Sequence, residues 1–103
     1  MKPVQMYLGA PQQTKLPVYE VQSNQQATVK QIVLSNTDTA DSKITVTVNT
    51  VDIMKDLIVA SGETKIIDTT IVLNQNDRLS LQQEKTNAIN VMINGMIEPM
   101  MGY

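Results

Sequence analysis

Apolar and polar residues alternate with a period of two along several segments, which is the pattern of strands with one buried face. The clearest segments are residues 43–49 and 88–94. In the first of them Ile44, Val46 and Val48 share one face, and threonines or charged residues share the other. The sequence therefore predicts β-strands in which one side packs into a core.

The remaining strand-like segments are separated by residues that favour turns. These segments are residues 28–35, 57–60, 64–67, 70–73 and 78–82. The dense apolar run of residues 28–35 predicts a strand buried on both faces, and residues 52–57 are expected to form one short turn at most. No window has a helical period. The regular spacing predicts an all-β chain that folds as a single antiparallel β-sandwich of seven or eight strands.

The two ends of the chain differ in composition from the middle. Residues 1–17 hold three of the four prolines, and because proline cannot donate to a strand ladder, we expect an extended arm or an edge strand there. Residues 18–97 form the predicted sandwich, and residues 98–103 form an apolar, methionine-rich tail. Pro99 is expected to interrupt the final strand.

Apolar residues at both ends are the candidates for partner binding. Methionine adapts to irregular apolar surfaces, and an extended arm can add a strand to the sheet edge of a neighbour. The candidate residues are Val4, Met6, Tyr7, Leu8, Met96, Ile97, Met100, Met101 and Tyr103. The alternative for the tail is that its side chains close one end of the core. Lys30, Lys43 and Lys65 are expected to protect open sheet edges.

The composition excludes several kinds of chemistry, because the chain has no histidine, cysteine, tryptophan or phenylalanine. Zinc sites built on histidine or cysteine, thiol nucleophiles, disulfides and imidazole catalysis are therefore ruled out. No serine-nucleophile motif or glycine-rich phosphate loop is present either. We expect a protein that is not an enzyme and that needs no cofactor.

Three carboxylates in turn segments are the candidates for metal binding. Asp38 and Asp41 share one polar loop, and Asp77 lies in an asparagine-rich turn. Oxygen-rich loops can hold calcium, but the glycine and the distal glutamate of a known calcium loop are missing. Stabilisation of the turns is the favoured interpretation, and no metal site is predicted.

The charge of the chain also limits its partners. Eight basic and ten acidic residues give a net charge of −2 with no basic cluster, so nucleic acid is not an expected partner. No apolar run is long enough to cross a bilayer, and the first residues lack the apolar centre of a signal peptide. We expect synthesis in the cytoplasm and no membrane partner.

The middle of the chain resembles small Ig-like β-sandwich virion proteins of tailed bacteriophages. The resemblance covers about residues 28–97 and is carried by residues 30–37 (KQIVLSNT), 44–48 (ITVTV), 57–64 (LIVASGET), 71–79 (IVLNQNDRL) and 89–96 (INVMINGM). Where the family often has glycine before the turn aspartate, this chain has Asn76. The resemblance implies an Ig-like sandwich that acts as a head, neck or tail accessory protein and carries no catalytic residue.

Together these observations lead to an expected function. The chain is expected to be a non-enzymatic structural component of a tailed-phage virion, such as a head, neck or collar protein or a tail accessory or decoration protein. It would be made in the host cytoplasm and would assemble with itself and with a larger virion protein. The alternative is a carbohydrate- or cell-surface-binding β-sandwich module, in which Tyr7, Tyr19 and Tyr103 would supply the stacking surfaces.

Overall fold

The computed structural model describes residues 3–10, 15–84 and 88–99. Within these ranges the chain forms eight strands and no helix. The strands are β1 (Pro3–Gly9), β2 (Leu16–Glu20), β3 (Gln25–Asn36), β4 (Ser42–Val48), β5 (Val51–Val59), β6 (Thr64–Leu73), β7 (Arg78–Gln83) and β8 (Ile89–Pro99).

The strands form two four-stranded sheets, and every strand pair is antiparallel. Sheet A has the order β1-β8-β3-β6, and sheet B has the order β2-β7-β4-β5. The core fills the space between the two sheets, as the alternating segments predict. The predicted all-β antiparallel sandwich is confirmed.

The connectivity differs from the Ig-like order that we expect from the resemblance. In an Ig-like sandwich the last strand lies in the same sheet as the strand before it. Here β8 lies between β1 and β3, whereas β7 belongs to the other sheet. Two interleaved sheets in this strand order form an eight-stranded jelly roll. The alternating pattern determines which face of each strand is buried, but it does not determine which strands pair.

Core residues come from the inward faces of both sheets, where β-branched and leucine side chains interdigitate. The largest fully buried apolar side chains are Ile32, Leu34, Ile44, Leu73, Leu79, Leu81, Ile89 and Ile93. The sandwich is therefore held together mainly by aliphatic packing, in keeping with the near absence of aromatic residues.

Bulges cross sheet A in one line. The registers of β1 and of β3 against β8 both shift beside Asn94, so that Met6 and Lys30 are extra residues in their strands. The β3–β6 register shifts at the same level. A bulge reverses the alternation of side chains, so Met6 and Tyr7 both contact the core although they are adjacent.

Several local expectations need correction. Residues 64–67 and 70–73 belong to one strand, β6, and residues 52–57 lie within strand β5 instead of forming a turn. Strand β3 buries one face only, because its inward side chains are buried while the others stay partly exposed.

The three lysines that we expect to protect sheet edges do not all lie on edge strands, and strands lie at both ends of the described chain. Lys65 lies on edge strand β6, but Lys30 and Lys43 lie on the inner strands β3 and β4. The N-terminal segment supplies β1 and the start of β2, which are edge strands of the two sheets, and strand β8 ends at Pro99.

Candidate functional site

The candidate residues of the N-terminal segment divide into two groups. Val4, Met6 and Tyr7 contact the core of the sandwich. Leu8 points away from the core and is 60% exposed. Because β1 pairs along its length with β8 of the same chain, its backbone is already engaged on that side.

The candidate residues of the C-terminal segment divide in the same way. Ile97 packs against the core, whereas Met96 lies half-buried on the outer side of β8. Met100, Met101 and Tyr103 lie outside the described residues. Leu8 and Met96 are therefore the two candidates that the structure places on one outer surface, the outer face of sheet A.

An apolar row crosses this face from edge to edge. Leu8 is paired with Met92, Met92 with Val33, and Val33 with Ile66, so the four side chains lie side by side on four neighbouring strands. Ile66 at the far end of the row is 58% exposed. Leu8, Met92 and Val33 line a shallow groove of about 190 Å³ together with Ser35, Asn90 and Val91.

A polar row runs parallel to the apolar row. Gln5, Asn94, Gln31 and Asp68 are paired across the same four strands. Asn94 Nδ2 donates to Gln31 Oε1 at 3.2 Å, and Gln31 Nε2 donates to Asp68 Oδ1 at 3.4 Å. These bonds hold the side chains flat on the sheet.

A third row completes the face. It consists of Pro3, Met96, Thr28 and Val72, and Val72 is 52% exposed. Asp68 is the one charged residue in the three rows. Lys30 lies beside them at the bulge, where its Nζ is 3.3 Å from Thr70 Oγ1. The outer face of sheet A thus carries few charged residues, namely Asp68, Lys30 and Glu98, which is paired with Gln26 beyond the third row.

The outer face of sheet B is chemically different. It holds a groove of about 330 Å³ lined by Lys43, Thr45, Asp52, Lys55, Asp56, Gln82, Gln83 and Glu84. Thr47 Oγ1 donates to Asp52 Oδ1 at 2.8 Å, and Lys15 Nζ approaches the same oxygen at 3.9 Å. The groove offers charge and hydrogen bonds, but its lining contains no aromatic side chain.

A bulge of strand β5 shapes one side of this groove. Asp56 has a positive φ of 53°, a conformation that few non-glycine residues adopt. The backbone nitrogen of Asp56 donates to Thr45 Oγ1 at 3.1 Å, which holds the bulge against strand β4.

The three candidate metal ligands are not brought together. Asp38 and Asp41 lie in the loop after β3, whereas Asp77 lies at the opposite end of the ten-residue strand β6. The carboxylates of Asp38 and Asp77 accept hydrogen bonds within their own turns, from Thr39 N and Asn74 N. The carboxylate of Asp41 accepts one from Ser61 N, in the turn before β6. In the described part of the chain no three acidic residues are grouped so that they could hold a metal ion.

The sequence interpretation missed most of the apolar row. Val33, Ile66 and Met92 were not among the candidates, although each lies in a predicted strand. The sequence indicates such a residue where an apolar side chain interrupts the polar face of a strand, as Ile66 does beside Ile67. That signal became specific only when the register placed the residues side by side.

Comparisons with protein-family models, with curated proteins and with solved structures found no match to this chain. Among the described residues there is no helix that is long and apolar enough to span a membrane.

Proposed function

We propose that this protein is a non-enzymatic structural component of a tailed-phage virion, which assembles with itself and with a larger virion protein. The observation that carries the proposal is the exposed apolar row on the outer face of sheet A. Contiguous exposed apolar surface on a small protein is typical of protein–protein contact. The contact surface proposed is the sheet face, with Leu8 and Met96 as the candidates from the chain ends that belong to it.

Two further observations support the proposal. Jelly rolls are common among viral capsid domains, although this is an argument from fold analogy alone. The resemblance of residues 28–97 to phage virion proteins is carried by strand and turn segments, whereas the Ig-like connectivity that it implies differs from the strand order of this chain.

Particle composition tests the proposed function. Phage particles made by cells that encode this chain would be purified on a density gradient, and the chain would be quantified by mass spectrometry and located by antibody labelling. We expect it to migrate with particles at a fixed copy number. Presence in the soluble fraction alone would contradict the proposal.

A carbohydrate- or cell-surface-binding module is the second candidate. The polar groove on sheet B favours it, because carboxylate and amide groups can bind sugar hydroxyls, and jelly rolls also occur among lectins. Tyr7 and Tyr19 do not line the groove, and Tyr103 lies outside the described residues. Saturable binding on a glycan array that is lost in Asp56→Asn would favour this candidate over the structural function.

A further inference from the structure

We propose that a second copy of this chain packs on the outer face of sheet A, related by a two-fold axis that runs parallel to the strands between β8 and β3. The inference rests on the self-assembly in the proposed function. Beyond self-assembly, the proposed dimer specifies the contact surface, the symmetry axis and the residues that oppose each other.

The size of the face fits a stable dimer. The forty residues of its four strands, which rise about 3.3 Å each on strands spaced about 4.8 Å apart, give the face a projected area of roughly 630 Å². This area lies within the roughly 600–1,000 Å² that each partner contributes to a specific interface. Antiparallel sheets commonly pack face to face in this way.

The proposed axis places like rows against each other. It lays β8 of one copy over β3 of the other and β1 over β6, so Leu8 opposes Ile66 and Met92 opposes Val33 in the second copy. The apolar row thereby meets an apolar row, and the amide row meets an amide row. Each contact occurs twice, as a two-fold interface requires.

The position of Asp68 favours this axis over a two-fold axis that runs across the strands along the amide row. An axis across the strands, along the amide row, would place Asp68 opposite Asp68 of the second copy, where two like charges would lose solvent together. The proposed axis places Asp68 opposite Gln5, whose side-chain amide can donate to the carboxylate. The two axes therefore differ in the residues that they bring together.

Two of the four edge strands, β6 and β5, are less suitable for self-association. On β6 the inward side chain of Lys65 donates to Ile58 O, a carbonyl of the other edge strand on that side, at 2.9 Å. Edge strand β5 is interrupted by register shifts and by the positive φ of Asp56. Charged inward residues and bulges both oppose strand addition at an edge.

Oligomeric state is the first test. Sedimentation equilibrium of the full chain should show a dimer that dissociates on dilution. Ile66→Lys should weaken the dimer at least tenfold, since it places a charge in the apolar row. The matched control is Val51→Lys, which replaces a residue of sheet B that is 61% exposed and should leave the dimer unchanged.

Thiol crosslinking tests the axis, because the natural chain has no cysteine. Leu8→Cys with Ile66→Cys should give a covalent dimer with a crosslinker that spans about 10 Å, the distance between packed sheets. Ile66→Cys with Val72→Cys is the control, since these residues oppose each other only with the axis across the strands. Covalent dimer from the control pair alone would overturn the proposed axis.

These results separate the inference from the function on which it rests. A chain that stays monomeric at all concentrations, or a dimer that survives Ile66→Lys, overturns the inference but leaves docking on a larger virion protein open. If the chain dimerises but is absent from purified phage particles, the proposed function is overturned instead. Circular dichroism of each variant confirms that it is folded.

Discussion

Gly95 lies at the level where the bulges cross sheet A, and it leaves no space for a side chain. A Cβ at this position would clash with the carbonyl oxygen of Thr28 and would come within 2.7 Å of Met6 Sδ. Gly62 is different, because it has a φ of 73° and open space around it. One glycine is needed for close approach and the other for its backbone conformation.

Gly95→Ala should therefore destabilise the protein by about 3 kcal/mol, because backbone of β3 must move to admit the methyl group. Gly62→Ala should cost only about 1 kcal/mol, the usual penalty for a left-handed alanine. Urea unfolding of the two variants measures both values. Equal losses would contradict the close packing around Gly95.

Asn36 holds two segments together from a buried position at the end of β3. Its Nδ2 donates to Ala40 O at 3.0 Å and to Val59 O at 2.9 Å, and its Oδ1 accepts from Asp38 N at 2.8 Å. The side chain thus satisfies backbone groups of the following loop and of strand β5.

Asn36→Ala should lower the free energy of unfolding by about 2–4 kcal/mol, because buried backbone groups lose their partners. The control is Asn90→Ala, at an exposed position paired with Ser35, which should change stability by less than about 0.5 kcal/mol. Chemical denaturation gives both values. A loss below about 1 kcal/mol in Asn36→Ala would mean that water replaces the amide.

The edges of sheets A and B meet along β6 and β5, and Lys65 connects them. Its hydrogen bond to Ile58 O crosses between the sheets and leaves a charged side chain among the inward residues of β6. Ile67 and Ile71 on the same side of the strand pack against the core. A charged inward residue makes the edge unattractive to a further strand.

Lys65→Val should make the protein aggregate faster while changing the free energy of unfolding by less than about 1 kcal/mol. Light scattering at constant temperature measures the aggregation. Lys43→Val is the matched control, because Lys43 is exposed on an inner strand and protects no edge. Equal aggregation of the two variants would show that Lys65 has no protective role.

Element positions were predictable where the alternation is uninterrupted. The segment 43–49 corresponds to β4 and the segment 78–82 to β7, within one residue at each end. The sequence predicts two strands in place of β6, because the polar residues Asp68 and Thr69 separate the segments 64–67 and 70–73. In the structure this polar stretch faces the bulge at Lys30, and strand pairing continues on both sides of it.

At the scale of the whole molecule, the order in which the strands pair is the feature that the sequence does not predict. A single connection between successive strands, β4 to β5, stays within one sheet, and every other described connection crosses the sandwich. Ig-like and jelly-roll sandwiches therefore share strand spacing and alternation but differ in long-range pairing. The same pairing places the N-terminal segment beside β8, where it is part of the sheet.

The edge strands β1 and β2 place Tyr7 and Tyr19 against the core on the same side of the sandwich. Burial raises the pKa of both phenols above the ordinary value of 10.0, because the charged tyrosinate loses solvation. Below about pH 9 both residues are almost entirely neutral in the folded and in the unfolded chain. As the pH rises further, the unfolded chain loses these protons first, so stability falls through the folded-state pKa values.

Comparison with the double variant Tyr7→Phe/Tyr19→Phe isolates the contribution of the two phenols. Between about pH 9 and about pH 11 the free energy of unfolding should fall more steeply in the natural chain than in the double variant, because only the natural chain releases phenolic protons on unfolding. Urea unfolding across this pH range measures the difference. Parallel pH profiles would mean that the two phenols are as well solvated in the folded sandwich as in the unfolded chain, and that the β1 and β2 edges are open to water.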